Sequence, residues 1–153
     1  MCGGAIAGSK TYLKTMTVLD EFKWQFVSGL ANMNHARDAH GITSWRNRFI
    51  IVVGSWHVES SRKTCEIYDT VENTWKELPT LNDETCAPGL VIVKNRYLYK
   101  LGGATDVGKV EVLDLSQINF GQQGQIDSIQ NQSDSKSESS DTIMIDESFE
   151  NNF

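Results

Sequence analysis

Three residues of one short segment carry side chains that bind metal ions or transfer protons. His35, Asp38 and His40 lie within six residues of each other, and a further histidine, His57, follows in a later polar segment. Imidazole nitrogens and carboxylate oxygens are common ligands of zinc and related ions. A related segment downstream carries a different set of side chains, however, so the pattern favours polar loop residues, and we predict no metal and no cofactor.

Residues that would make the chain an enzyme do not stand out. No serine–histidine–aspartate spacing, phosphate-binding glycine loop or pair of catalytic carboxylates is recognisable. Cys2, Cys65 and Cys86 have neither the spacing of metal ligands nor that of a disulfide framework. An odd number of cysteines, one of them inside a predicted strand, indicates reduced thiols and a cytoplasmic chain. We predict no catalytic residues.

Short β-strands must position these side chains. The stretch from Gly41 to Pro79 consists of brief apolar or alternating runs that are separated by turn residues, a pattern typical of strands rather than helices. One run, Phe49–Val53, is apolar at every position and ends at Gly54. The predicted strands of this unit are 41–45, 49–53, 65–69 and 75–78, with turns at Arg46-Asn47 and at Glu72–Thr74.

The same unit recurs on both sides of this stretch. Residues 33–41 align with residues 81–89 at a constant offset of 48, which persists from Gly54 to Gly102. The triplet Ile67-Tyr68-Asp69 has counterparts at 18–20 and 112–114. The flanking units predict strands at 15–20, 23–28, 87–93, 97–101 and 110–115.

The pattern resembles the kelch repeat of β-propellers. It is carried by the glycine pairs Gly3-Gly4 and Gly102-Gly103, by an aliphatic or aromatic residue before each aspartate, and by Trp24 and Trp75 after two of the aspartates. The second copy has Gly54-Ser55 in place of the pair, and the third has no tryptophan. The resemblance covers about residues 1–116 and implies an all-β fold of four-stranded antiparallel blades.

This resemblance sets the expected domain organisation. We expect a partial blade with its linker at 1–38, a complete blade at 39–86, a partial blade at 87–116 and a disordered tail at 117–153. A propeller needs about four to eight blades. We therefore expect a fragment of a larger propeller or a truncated product, with self-association through open blade edges as the less favoured alternative.

Charge is unevenly distributed along the chain. Residues 1–120 contain 13 basic and 13 acidic residues, whereas residues 121–153 contain one basic and seven acidic residues, so the net charge of −6 lies in the tail. Neither part has the basic surface that nucleic acids or anionic membranes attract, and no apolar run is long enough to span a bilayer. We expect no nucleic-acid or membrane partner.

The tail has two compositions. Residues 117–142 are rich in serine, glutamine and acids, which predicts disorder. Ile145, Phe149 and Phe153 are spaced four apart and would lie on one side of a helix that folds on a partner. A disordered end with a few apolar residues is the favoured interpretation.

Topology predicts a binding face. In a four-stranded antiparallel meander, the loop after strand two and the loop after strand four lie at the same edge. Loops on a rigid scaffold commonly carry function, and tryptophan and arginine are frequent interface anchors. We expect this face to bind a protein partner through His35, Arg37, Trp56, His57, Arg62 and Glu84.

The resemblance implies a function class. Kelch propellers often act as non-catalytic scaffolds or as substrate-recruiting adaptors, so we predict a protein–protein interaction module and no enzymatic activity. The alternative is the remnant of a propeller enzyme that acts on sugars, such as a galactose-oxidase-like protein or a sugar isomerase. That class requires copper ligands or facing acid and base groups at the propeller axis, which this sequence does not display.

Overall fold

A computed structural model describes residues 2–16, 18–20, 23–25 and 29–119. In these ranges the chain forms antiparallel strands and two short 3-10 helices, at Glu59–Ser61 and Leu115–Gln117. The predicted tail from residue 120 onward, including Ile145, Phe149 and Phe153, lies outside the described residues. The strands are β1 (Val18–Asp20), β2 (Lys23–Gln25), β3 (Gly41–Trp45), β4 (Phe49–Val53), β5 (Cys65–Asp69), β6 (Thr74–Leu78), β7 (Gly89–Val93), β8 (Tyr97–Leu101) and β9 (Val110–Asp114).

The strands form three antiparallel sheets in chain order. The first sheet contains β1 and β2, the central sheet β3 to β6, and the third sheet β7 to β9. This arrangement confirms the expected all-β fold of antiparallel sheets. In the part of the chain that the structure describes, no helix is long and apolar enough to cross a membrane.

Three strands differ from their predicted bounds for local reasons. The strand β6 begins one residue early because Thr74 pairs with Asp69. The strand β7 begins at Gly89 because Ala87 has a φ of 48° and its N–H bonds to the carbonyl of Ala39 instead of a strand. The strand β9 ends at Asp114, where the 3-10 helix begins.

The first sheet also differs from its prediction. The strand predicted at 15–20 is shorter, and Met16 instead forms an isolated bridge with Cys2. A second isolated bridge, between Ala5 and Tyr12, closes the segment that precedes Met16. Residues 26–28 of the other predicted strand lie outside the described ranges.

Hairpin turns lie at Arg46-Asn47, where the sequence predicts a turn, and at the equivalent residues Lys94-Asn95. All four residues have φ between 49° and 53°. Two consecutive positive φ values define the two-residue turn that matches the twist of antiparallel strands. Each turn is followed by an arginine that reaches the aspartate ending strand three of its sheet.

These arginine–aspartate pairs repeat from sheet to sheet. Arg48 donates two hydrogen bonds to Asp69, of 2.9 and 2.7 Å. Arg96 makes the same two-pronged contact with Asp114, at 2.9 and 2.6 Å. The aspartate of the repeat therefore ties strand three to the hairpin between strands one and two.

The central sheet buries both of its faces, which explains the continuous apolar run of β4. Side chains alternate along a strand. One face packs on the third sheet, where the Trp45 indole N–H donates to the Asn95 carbonyl at 3.0 Å. The other face joins a buried cluster with the Cys2–Met16 bridge and the linker before β3, and that cluster contains Cys2, Met16, Met33, Val52 and Tyr68.

Glycines end strand two where the next segment of chain passes close by. A Cβ on Gly3 would lie 2.6 Å from the carbonyl oxygen of Arg37, and one on Gly54 would lie 2.5 Å from that of Thr85. Both glycines also have positive φ, of 66° and 76°. These positions therefore require glycine for space and for backbone conformation.

Candidate functional site

The loop between β4 and β5 forms the candidate site, and its backbone is tied to the preceding linker. The Trp56 N–H donates to the Asp38 carbonyl at 3.0 Å, and the Ser61 hydroxyl donates to the Ala36 carbonyl at 3.1 Å. Arg62 closes the loop by donating from Nε to the Trp56 carbonyl at 3.1 Å. The 3-10 helix at Glu59–Ser61 supplies the compact turn between them.

His57 is held by a carboxylate that lies beneath the loop. Its Nδ1 lies 2.5 Å from Oδ2 of Asp38, and its backbone N–H donates to Oδ1 of the same residue at 3.0 Å. The Ser55 hydroxyl also donates to Asp38 Oδ1, at 3.1 Å. Asp38 is buried, whereas His57 is largely exposed.

These contacts determine the protonation of Asp38. Burial raises the pKa of its carboxyl group, but the hydrogen bonds from the His57 side chain, the His57 backbone and Ser55 outweigh burial. The net result is a pKa below the ordinary value for aspartate. Asp38 is therefore a carboxylate that orients the imidazole above it.

Aromatic rings surround this imidazole. The ring of Tyr12 stacks on His57 with centroids 5.4 Å apart and an interplanar angle of 14°. Trp56 meets His57 edge to face at 6.1 Å, and 44% of Trp56 is exposed. Together the three rings form an amphipathic surface of the kind that interfaces favour.

A charged pair borders the rings. Nη1 of Arg62 lies 3.2 Å from Oε2 of Glu84. The Glu84 backbone carbonyl accepts a hydrogen bond of 3.0 Å from the Thr105 hydroxyl, which links this corner to the third sheet. The cleft enclosed here has a volume of about 260 Å³ and is lined by Ser55, Trp56, His57, Arg62 and Thr105.

The structure thus brings Trp56, His57, Arg62 and Glu84 together, as the topology predicts. His35 lies elsewhere, because its Nε2 pairs with Glu77 Oε1 on β6 at 3.1 Å. Tyr12 was not predicted to belong to this site, because its position depends on the isolated bridge that it forms with Ala5.

The expectation that Arg37 is displayed on this face is wrong. Its side chain is 0% exposed and pairs with Glu66, also 0% exposed, at 2.8 Å. The guanidinium also donates to the carbonyls of Gly54, Ser61 and Thr64. Arg37 is buried because it neutralises Glu66 and satisfies the carbonyls at both ends of the loop.

Glu66 in turn fastens the linker between sheets. It accepts hydrogen bonds from the backbone N–H groups of Asn34, at 2.7 Å, and His35, at 3.2 Å. In the third sheet, Glu111 accepts the N–H of Asn82 at 2.8 Å in the same manner. A glutamate on strand three therefore anchors the preceding linker in both copies.

Of the four residues first considered as metal ligands, the structure joins Asp38 to His57, whereas His35 faces Glu77. Burial, followed by the nearby charge of Arg37, lowers the pKa of His40. Within the described ranges, no three His, Cys, Asp or Glu side chains form a group that could hold a metal ion.

The fold and the repeated contacts define the class of this chain, which is a repeat protein of antiparallel blades. Comparison with family models identifies the repeat: residues 36–82 match the Kelch motif, so the chain carries a kelch repeat. The match spans all four strands of the central sheet and includes Trp56, His57 and Arg62. No curated protein matches the chain in a sequence comparison.

Proposed function

We propose that this chain is a non-catalytic protein-interaction module and that the cleft beside Trp56 binds a protein partner. The observation that carries the proposal is the ring cluster of Tyr12, Trp56 and His57, in which Trp56 and His57 are exposed. These rings lie on loops that hydrogen bonds hold to the sheets, so little conformational freedom is lost on binding. The Kelch motif supports an interaction module in general.

The polar border of the cleft supports the same function. Arg62 and Glu84 are partly exposed and paired. A charged rim around exposed aromatic rings is the usual anatomy of a protein interface. Such rings and arginines carry a large share of binding energy when a partner excludes water from them.

The cysteines bear on where this module works. All three are buried and free. Burial raises the pKa of the Cys65 thiol to about 12, which keeps it protonated and unreactive. Our proposal places the module in a reducing compartment such as the cytoplasm, and fractionation of the source cells tests this assignment.

Affinity purification with the full chain, followed by titration of the purified partner, tests the binding proposal. We expect Trp56→Ala to weaken binding about tenfold or more, because it removes the largest ring that lines the cleft. Val71→Ala is the matched control, since Val71 is 68% exposed but lies in the turn between β5 and β6, at the opposite edge of the sheet.

Unchanged binding by the cleft variants would contradict the proposal. A partner whose dissociation constant is the same for the wild-type chain, Trp56→Ala and Arg62→Ala does not use this cleft. Circular dichroism of each variant verifies folding before binding is compared.

A further inference from the structure

Two side chains that line the cleft, Trp56 and Arg62, keep hydrogen-bond donors that no other described residue uses. Arg62 donates from Nε to the Trp56 carbonyl and from Nη1 to Glu84, so its Nη2 group has no partner in the described ranges. The indole N–H of Trp56 likewise has no acceptor among the described residues. A guanidinium and an indole donate hydrogen bonds and accept none. The cleft therefore suits a ligand group that accepts them.

The imidazole of His57 becomes a further donor when it is protonated. The carboxylate of Asp38 only accepts hydrogen bonds, so Nδ1 of His57, 2.5 Å from Oδ2 of Asp38, must carry a proton. The other ring nitrogen, Nε2, has no partner among the described residues, and 55% of the His57 side chain is exposed. Nε2 accepts a hydrogen bond in the neutral ring and donates one in the imidazolium. A change in the protonation of His57 therefore takes place at Nε2, on the open side of the ring.

Glu84 shows that the cation of this cleft already takes a carboxylate. Oε2 of Glu84 lies 3.2 Å from Nη1 of Arg62, and the Glu84 side chain is 47% exposed. The Thr105 hydroxyl holds the Glu84 backbone carbonyl at 3.0 Å, so this carboxylate is presented by a fixed segment of chain. Exposed ion pairs of this kind are weak. A second carboxylate, from another molecule, can therefore compete for the guanidinium.

We propose that the cleft receives an aspartate or glutamate side chain of the protein partner, held by Arg62, the indole N–H of Trp56 and the imidazolium of His57. The proposal rests on the interaction function proposed above and adds the chemistry of the group that is bound. Charge-assisted hydrogen bonds from a guanidinium to a carboxylate are both short and directional. They would fix the partner beside the exposed aromatic rings.

The groups around His57 couple this recognition to pH. In the described ranges they are the carboxylate of Asp38, the ring of Tyr12 that stacks on the imidazole, and the pair of Arg62 and Glu84 that borders the cleft. A bound carboxylate would place a second negative charge beside the ring, and nearby opposite charges favour the charged form of an ionisable group. Binding therefore takes up a proton at Nε2, and the affinity rises as the pH falls.

Two alanine-based pentapeptides with blocked ends serve as probes, one with a central glutamate and the other with a central glutamine. We expect the glutamate peptide to shift the amide resonances of Trp56, His57 and Arg62 in the full chain until binding saturates. We expect the glutamine peptide to bind about tenfold more weakly, because hydrogen bonds between two charged groups are the stronger ones.

The same titrations at pH 6 and pH 8 test the role of His57. The charge of histidine changes between about pH 5 and 8, whereas glutamate in a peptide stays ionised above about pH 5. We expect the glutamate peptide to bind about tenfold more tightly at pH 6 than at pH 8. Binding of the glutamine peptide should not change, and His57→Gln should remove the difference for the glutamate peptide.

Two pairs of variants locate the carboxylate. Arg62→Gln is expected to weaken binding of the glutamate peptide about tenfold, whereas Lys76→Gln, which removes an exposed cation of β6 outside the cleft, should stay within about twofold. Glu84→Gln removes the competing carboxylate and is expected to tighten binding about threefold. Glu72→Gln removes an exposed carboxylate from the turn between β5 and β6 and should leave binding unchanged. If a variant does not fold, the two peptides and the two pH values decide with the wild-type chain.

Several outcomes would overturn the proposal. These are no binding of the glutamate peptide, equal binding of the glutamate and glutamine peptides, amide shifts away from the cleft, or an affinity that does not depend on pH. An alanine pentapeptide with a free carboxyl end that binds as tightly would assign the cleft to a chain end instead of a side chain.

The proposed function fails separately from this inference. A purified partner that loses affinity with Trp56→Ala but is indifferent to pH and to Glu84→Gln uses the cleft without a carboxylate. A partner that is unaffected by Trp56→Ala does not use the cleft at all.

Discussion

At the scale of single residues, the buried guanidinium of Arg37 is the group on which the site loop most depends. Removing one partner of a buried ion pair leaves an uncompensated charge and costs about 3–5 kcal/mol. We therefore expect Arg37→Ala to lower the free energy of unfolding by about this amount in urea denaturation. Glu66 and three backbone carbonyls would lose their donor together.

Arg62→Ala provides the control for this prediction. Arg62 is partly exposed, and its pair with Glu84 lies at the surface, where such pairs contribute about 1 kcal/mol or less. Similar losses for the two variants would contradict the assignment of Arg37 as a buried structural residue and would reopen its role in partner binding.

Asp38 makes stability depend on pH in a definite direction. The pKa of its carboxyl group is lower in the folded chain than in the unfolded chain, where the pKa of aspartate is about 4. Its contribution is therefore complete above that value and is lost as the pH falls through the lowered pKa. We expect Asp38→Asn to be clearly less stable than wild type at pH 6, by a margin that narrows as the pH falls below about 4.

Urea denaturation at each pH measures this difference. Glu59→Gln, which alters an exposed carboxyl group in the same loop, is expected to match the wild type throughout. A difference between Asp38→Asn and wild type that stays constant with pH would show that the lost interaction does not depend on the charge of Asp38.

At the scale of elements, the strands follow from local sequence because apolar runs and turn residues encode them directly. Positive φ at Arg46-Asn47 and Lys94-Asn95 is an example, since the turn type depends on adjacent residues alone. The anchoring of linkers by Glu66 and Glu111 could not be predicted, because it joins residues about 30 positions apart. A glutamate in a strand gives no indication that it is buried.

The cation that balances the charge of each glutamate could not be predicted from the sequence either. In the central sheet the cation is Arg37, from the linker. In the third sheet the linker has Thr85 at that position, and the buried cation is Lys100 of β8, whose Nζ lies 3.9 Å from Oε1 of Glu111 and also pairs with Asp106. The two sheets therefore neutralise their corresponding glutamates with cations from different elements. An alignment of the repeats does not reveal which cation lies beside each glutamate.

The repeated arginine–aspartate clamp gives a prediction that compares two elements. Arg48 and Asp69 have side chains only 11% and 10% exposed, whereas those of Arg96 and Asp114 are 47% and 26% exposed. Hydrogen bonds to charged groups contribute more where water is excluded. We expect Asp69→Ala to cost about 2 kcal/mol in urea denaturation and Asp114→Ala to cost clearly less.

Equal costs for the two variants would mean that burial does not set the strength of the clamp. Hydrogen exchange of the amides of Val71 and Glu72 provides a local readout. Both N–H groups donate to Asp69 Oδ1, and Asp69→Ala should accelerate their exchange, whereas Asp114→Ala should not.

At the scale of the whole chain, the candidate site is less predictable than the fold, because it combines segments that only the packing of sheets brings together. Topology placed the loop after β4 and the linkers at one edge, which located Trp56, His57, Arg62 and Glu84. Topology alone could not show that Arg37, from a linker at the same edge, is buried while the other side chains are exposed. The contribution of Tyr12 depends on how the first sheet packs on the central one.

The contact between sheets gives the last prediction. Gly54 and Gly108 have nearly equal φ values, of 76° and 79°, so replacing either with alanine introduces a similar backbone strain. A Cβ on Gly54 would also lie 2.5 Å from the Thr85 carbonyl oxygen, whereas nothing lies within 4 Å of one on Gly108. Gly54→Ala must therefore move the strand end away from the next linker, and Gly108→Ala need not.

We expect Gly54→Ala to lower the free energy of unfolding by about 2 kcal/mol more than Gly108→Ala, as overpacking in a close contact does. It should also accelerate amide exchange at Ser55, whose N–H donates to the Thr85 carbonyl at 3.1 Å. Equal losses for the two variants would show that the strand end moves without cost. The glycine of the repeat would then serve the conformation of one strand rather than the packing of neighbouring sheets.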